Sequence, residues 1–196
     1  MRQCPAFRKG SQYLGRTHRY ATGSRDFRIY LPARQPKRPK GLIATLQACR
    51  QNPDDFALGT HMNLLAETHG IAVAYSSRPA GQNAASCWNW FNAGIQTRGA
   101  EEPAILASLA RKLKKDFGLD RESVFVAGLS TGGAMAAILV DVYPDVFYAA
   151  GTLLHKSSDG WTAPIPGQTY PMTFVTGMPS AVYPFSTATR TWNSTT

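Results

Sequence analysis

Acidic residues are scarce in this chain. The 196 residues carry 12 Asp and Glu against 21 Lys and Arg, a formal net charge of +9. Cysteine is scarcer still, with only Cys4, Cys49 and Cys87. Three thiols exclude a disulfide-dense scaffold and leave two arrangements open, one bridge with a leftover or three free thiols. There is no C-x-x-C and no H-E-x-x-H, so the sequence gives no support to a metal site. No run of about 18 apolar residues occurs, which excludes a membrane-spanning helix. The opening stretch MRQCPAFRKGSQYLGRTHRY has no apolar segment and does not read as a secretory signal as it stands.

Much of the positive charge lies before residue 51, including Arg16, Arg19, Arg25, Arg28, Lys37, Arg38, Lys40 and Arg50. Such a balance attracts nucleic acid, anionic membranes or acidic polymers. No basic helix or nucleic-acid motif accompanies it, so it reads as a solvated surface and no nucleic-acid partner is expected. What the chain does have is 43% apolar and 17% charged residues, enough to bury the core of one ordinary domain.

Residues 1–24 read as a basic N-terminal arm, loose or at most a poorly defined edge. DFRIYLP (Asp26 to Pro32) alternates and ends on proline, which suggests an outer strand. GLIATLQA, IAVAYSS and SVFVAGLS are short continuous apolar runs, the mark of strands buried on both faces. NPDDFALGTHMNLLAETHG reads as a turn followed by a helix, capped by Asp54 or Asp55, with Met62, Leu65 and Ala66 on its inner face and Gly70 as its stop. AILASLARKLKKDFG is amphipathic with its basic residues toward the C-terminal end. VFYAAGTLLH and MTFVTG complete the expected strands. Strands alternating with helices predict an α/β fold with a mostly parallel sheet covered on both faces, whose ligands bind at the strands' carboxyl ends.

At one such end lies Gly128-Leu129-Ser130-Thr131-Gly132, a G-x-S-x-G pattern between an apolar strand and the helix GGAMAAILVDVYP. A serine hydroxyl is a poor nucleophile until a base takes its proton. A sharp strand-to-helix turn exposes it, and the flanking glycines leave room for that turn. The helix that follows aims backbone N–H groups at a developing oxyanion.

Four stretches then point to a family: LQACRQNPDDFALGTHMNLLAETHGIAVAY, SCWNWF, RGAEEP and VFVAGLSTGGAMAAILVDVYPDVF. Together they resemble the poly(3-hydroxyalkanoate) depolymerase-type esterases, α/β-hydrolases related to feruloyl and acetylxylan esterases. The likeness runs from about Gly23 to Ala150. It implies a serine carboxylesterase that needs no cofactor and acts on an ester such as a polyester or a plant polysaccharide ester, usually outside the cell. It makes Ser130 the nucleophile and the N–H groups of Thr131 and Cys49 the oxyanion donors. It also implies a Cys49–Cys87 disulfide, and it sets Trp88, Trp90 and Phe91 beside the substrate. The alternative, rings buried as core beneath a long loop, applies more to Trp90 and Phe91 than to Trp88.

Three departures qualify the likeness. Gln47 and Ala48 stand where the family has His and Gly, which raises the expectation of a strained Ala48 if that glycine needs a positive φ. VTGMPSAVYPF, where the family's acid falls, holds no Asp or Glu. His155 is the one histidine after Ser130; with Asp159 it is a substitute candidate for base and acid, against the reading of a structural or exposed histidine. The expectation is therefore an incomplete hydrolase domain over 25–196, lacking its last strand and helix through truncation or a shifted reading frame. The competing expectation is an inactive hydrolase fold that binds a polyester or polysaccharide surface.

Overall fold

The computed structural model describes residues 9–34, 37–78, 86–153 and 172–176. Among the described residues seven strands form one sheet in the order β1-β2-β4-β3-β5-β6-β7. They are β1 (Gln12–Tyr20), β2 (Gly23–Leu31), β3 (Leu42–Leu46), β4 (Ala72–Ser76), β5 (Val124–Leu129), β6 (Ala149–Leu153) and β7 (Met172–Thr176). The helices are α1 (Pro53–Thr60), α2 (Met62–His69), α3 (Glu101–Phe117) and α4 (Thr131–Val142). Strands β4, β3, β5 and β6 run parallel, and β1, β2 and β7 are antiparallel to their neighbours. The sheet is thus an α/β arrangement with its parallel part at the centre.

Alternation along the strands divides the core. Phe27, Ile29 and Leu31 of β2, Leu42, Ala44 and Leu46 of β3 and Ala72 and Ala74 of β4 share one cluster with Leu106, Leu109, Met135 and Leu139 of α3 and α4. Tyr30, Val73 and Tyr75 point the other way, onto Phe56, Ala57 and Ala66 of α1 and α2. Both faces are covered, which is why the central strands read as unbroken apolar runs. Among the described residues no helix is long and apolar enough to cross a membrane.

Several elements differ from expectation. Much of the N-terminal arm is a regular nine-residue edge strand paired along its whole length with β2, so β2 is not outermost. Its residues are mostly exposed, which leaves no apolar alternation to read. Its one buried residue, His18, meets Ser108 of α3 at 3.0 Å. Burial, with Lys112 adding to it, lowers the pKa of that imidazole.

The single helix expected between the cap at Asp54 or Asp55 and the stop at Gly70 is two, α1 and α2. His61 adopts φ 53 and breaks it, although neither Gly nor Pro marks the spot. The cap is Asn52, whose side-chain oxygen accepts the Asp55 N–H at 2.8 Å, rather than Asp54 or Asp55. On α2 the buried residues are Asn63 and Ala66, while Leu65 is exposed; Asn63 is held by the Tyr75 hydroxyl at 2.7 Å. Gly70, with φ 69, ends α2 as expected.

Candidate active site

Ser130 sits where β5 ends and α4 begins, with φ 56 and ψ −121. A positive φ is costly for a residue with a Cβ and persists only where the surroundings enforce it. Two glycines do the enforcing. A Cβ on Gly128 would lie 2.0 Å from the Gly132 carbonyl oxygen, and one on Gly132 would lie 2.1 Å from that of Leu46. The first turn of α4 is therefore pressed against both its own strand and the end of β3. The Ser130 carbonyl accepts the N–H groups of Gly133 and Ala134 at 2.9 and 3.1 Å. The Ser130 side chain takes no part in capping the helix.

The loop after β3 faces this turn. Cys49 Sγ lies 3.4 Å from the Thr131 hydroxyl, so the two residues whose N–H groups are the expected oxyanion donors are in contact. Cys49 is joined to Cys87 by a disulfide. On either side of that bond, Arg50 N–H donates to the Ser86 carbonyl at 3.1 Å and the Trp88 indole N–H donates to the Gln47 carbonyl at 2.8 Å. Ala48 N–H donates to the Gln51 side chain at 3.0 Å. The strain expected at Ala48 is absent. The positive φ of this loop falls on Arg50, at 61, opposite Ser86 at 52.

The aromatic residues sort in the reverse of the order expected. Trp88 is 0% exposed, whereas Trp90 is 36% and Phe91 62% exposed. Trp88 is thus buried in the core, while Trp90 and Phe91 form an edge-to-face pair on the surface, 6.2 Å between centroids. The sequence gives no local signal for which ring of SCWNWF turns inward, apart from the adjacency of Trp88 to the bridged Cys87.

Sequence reasoning missed a buried charge pair below this loop. Arg25 of β2 and Glu102 of α3 approach to 3.7 Å with both side chains 1% exposed. Glu102 also accepts the Asn89 N–H at 3.0 Å, and the Arg25 guanidinium lies 5.6 Å from the centre of the Trp88 ring. Burial outweighs mutual attraction in both partners: it raises the pKa of the Glu102 carboxyl and lowers that of the Arg25 guanidinium. Charged residues are ordinarily solvated, so nothing in RGAEEP or GSRDF marks them as buried.

Among the described histidines, His18 meets Ser108, His61 joins α1 to α2 and His69 ends α2, and none hydrogen-bonds Ser130. His155 and Asp159 lie outside the described residues. A groove of ≈ 670 Å³ opens further along the same end of the sheet, between β1–β2 and the start of α1; its walls include Thr17, Asp26, Arg28, Asn52, Asp54 and Ser77.

A strained serine between strand and helix, at the carboxyl end of a central parallel strand, defines the class as an α/β-hydrolase fold. Solved structures agree. An acetyl xylan esterase from Aspergillus awamori superposes with a TM-score of 0.60 at 23% identity, over 78% of this chain and 58% of that one. An S-formylglutathione hydrolase (FrmB) from Staphylococcus aureus gives 0.53 at 16% identity, over 70% and 55%. The chain belongs to the esterase PHB depolymerase family, whose model matches residues 25–159. Poly(3-hydroxyalkanoate) depolymerase C of Paucimonas lemoignei is 31% identical over 123 residues, 63% of this chain and 28% of that protein. The acetylxylan esterase of Coprinopsis cinerea is 30% identical over 123 residues, 62% and 32% respectively. The chain thus spans well under half the length of these curated relatives.

Proposed function

We propose that this chain is a serine carboxylic ester hydrolase in which Ser130 is the nucleophile. The Ser130 oxygen attacks the ester carbonyl carbon and passes its proton to a base. The N–H groups of Thr131 and Cys49 stabilise the oxyanion. The alkoxide leaves with a proton, and water then cleaves the acyl-serine to release the acid. His155 and Asp159 are the candidates for base and acid. The observation that carries this reading is the strained Ser130 between Gly128 and Gly132, beside Thr131, whose hydroxyl touches Cys49 of the β3 loop. Polyester and acetylated polysaccharide are the substrate classes its relatives' names suggest. The Cys49–Cys87 bridge fits an oxidising, extracellular setting.

Labelling with a fluorophosphonate probe, with p-nitrophenyl butyrate hydrolysis followed in parallel, tests this reading against Ser130→Ala. Labelling and turnover confined to the unaltered protein are expected; silence in both would sink the catalytic reading. The second reading, an inactive fold that holds a polymer surface, is favoured by the exposed Trp90 and Phe91. Under it, polymer pull-down persists in Ser130→Ala while ester turnover is absent throughout.

A further inference from the structure

The proposed oxyanion donor on Cys49 belongs to the peptide plane between Ala48 and Cys49. That plane is aimed by the two planes flanking it. The one before, between Gln47 and Ala48, is held on both edges: the Trp88 indole donates to its carbonyl at 2.8 Å and its N–H donates to Gln51 at 3.0 Å. The one after, between Cys49 and Arg50, is held by the Arg50 N–H on the Ser86 carbonyl at 3.1 Å. The disulfide fixes where the Cys49 side chain lies but leaves the peptide free to rotate about its own bonds. Orientation therefore depends on hydrogen bonds, and the one furthest from Cys49's own neighbours comes from Trp88.

Trp88 is itself anchored from below. Its ring lies 5.6 Å from the guanidinium of Arg25, and its chain neighbour Asn89 donates its backbone N–H to Glu102 at 3.0 Å. Arg25 and Glu102 then meet across the gap between β2 and α3 at 3.7 Å, 1% exposed each. A pair this deeply buried is a poor source of stability, since apolar residues of similar volume do as well or better. What charged groups supply that apolar ones do not is direction: a carboxylate fixed to one N–H and a cation fixed over one ring face.

We infer that Trp88 is a positioning residue for the loop carrying Cys49, and that the buried Arg25–Glu102 pair holds Trp88 in register. Neither touches a substrate; they act through the Gln47 carbonyl. As an account of catalysis this rests on the Ser130 reading, whereas the clamp itself is open to measurement without any turnover.

The test uses the full chain with Trp88→Phe, which keeps an aromatic ring and removes the donor. Glu102→Gln keeps an acceptor for Asn89 and removes the charge, and Glu102→Asp serves as the conservative variant. Amide hydrogen exchange in peptides covering 46–51 is expected to quicken by about tenfold in the first two, while peptides covering 124–142 stay within about twofold of the unaltered protein. If the unaltered protein turns over p-nitrophenyl butyrate, kcat is expected to fall about 10- to 100-fold with KM within about twofold, and Glu102→Asp to recover part of the loss. Unchanged exchange over 46–51, or exchange that quickens equally everywhere, overturns the clamp. Unchanged kcat in an active protein with quickened exchange overturns its role in catalysis. If the unaltered protein is inert, the Ser130 reading is what has failed, and exchange alone decides the clamp. Should Glu102→Gln leave Arg25 uncompensated and fail to fold, Trp88→Phe carries the measurement.

Discussion

Two turns meet at the carboxyl end of this sheet, and they are built in opposite ways. The turn between β5 and α4 is self-contained. Gly128, Ser130 and Gly132 lie within five residues of one another, and the strain at Ser130 is enforced by backbone the same segment supplies, together with the end of β3. The loop after β3 is held from elsewhere. Ser86, Cys87 and Trp88 fix it; Trp88 in turn lies beside Arg25, and its neighbour Asn89 bonds Glu102. One turn is written in a motif; the other is assembled from four separated stretches of chain.

The sharpest way to break the self-contained turn is Gly132→Ala. Its new Cβ meets two carbonyl oxygens of β3 and the loop, at 2.1 and 2.7 Å, and neither is the end of a flexible side chain. Loss of roughly 4 kcal/mol or outright failure to fold is expected, read by urea denaturation. The assembled loop should fail more gently. Removing the Cys49–Cys87 bridge, which closes a separation of 38 residues, is expected to cost about 2–4 kcal/mol. Comparing urea midpoints of the Cys49→Ala/Cys87→Ala protein with the oxidised parent measures it, and no change would mean the hydrogen bonds alone suffice.

A smaller effect is expected where the loop runs into α1. Asn52→Ala deletes the acceptor for the Asp55 N–H and should cost about 1 kcal/mol by the same assay. Least of all, Phe91→Ala should shift stability by under about 0.5 kcal/mol, because its ring is 62% exposed and outside the clamp. A large loss there would mean that the exposed ring pair is part of the scaffold after all.

This contrast also explains what the sequence made legible. Strands β3, β4 and β5 stand out because both of their faces are covered, which writes a continuous apolar run. The turn at Ser130 stands out because every residue that shapes it is close by in the chain. The edge strand β1 was hidden because its exposed residues carry no alternation. The break at His61 was hidden because the usual marks of a left-handed residue, Gly or Asn, are not there. Strand direction leaves no trace in composition, so β7 was not legible as antiparallel to β6. The burial of Trp88 in place of Trp90 and Phe91 was hidden for a related reason. Trp88 packs beside Arg25, more than sixty positions earlier in the chain, and its neighbour Asn89 bonds Glu102 on α3, contacts that leave no mark in the stretch SCWNWF itself.

The glycine contacts under Ser130 have a consequence for how this chain tolerates change. The seat of α4 is made where backbone meets backbone: the Gly132 carbonyl against Gly128, and Gly132 itself against the carbonyls of Leu46 and Gln47. Every residue possesses those carbonyl atoms, whatever its side chain. A side-chain change at Leu46 or Gln47 therefore leaves the contacting carbonyls in place, even though both residues are buried and answer separately to the core. What the seat itself freezes is two positions, Gly128 and Gly132.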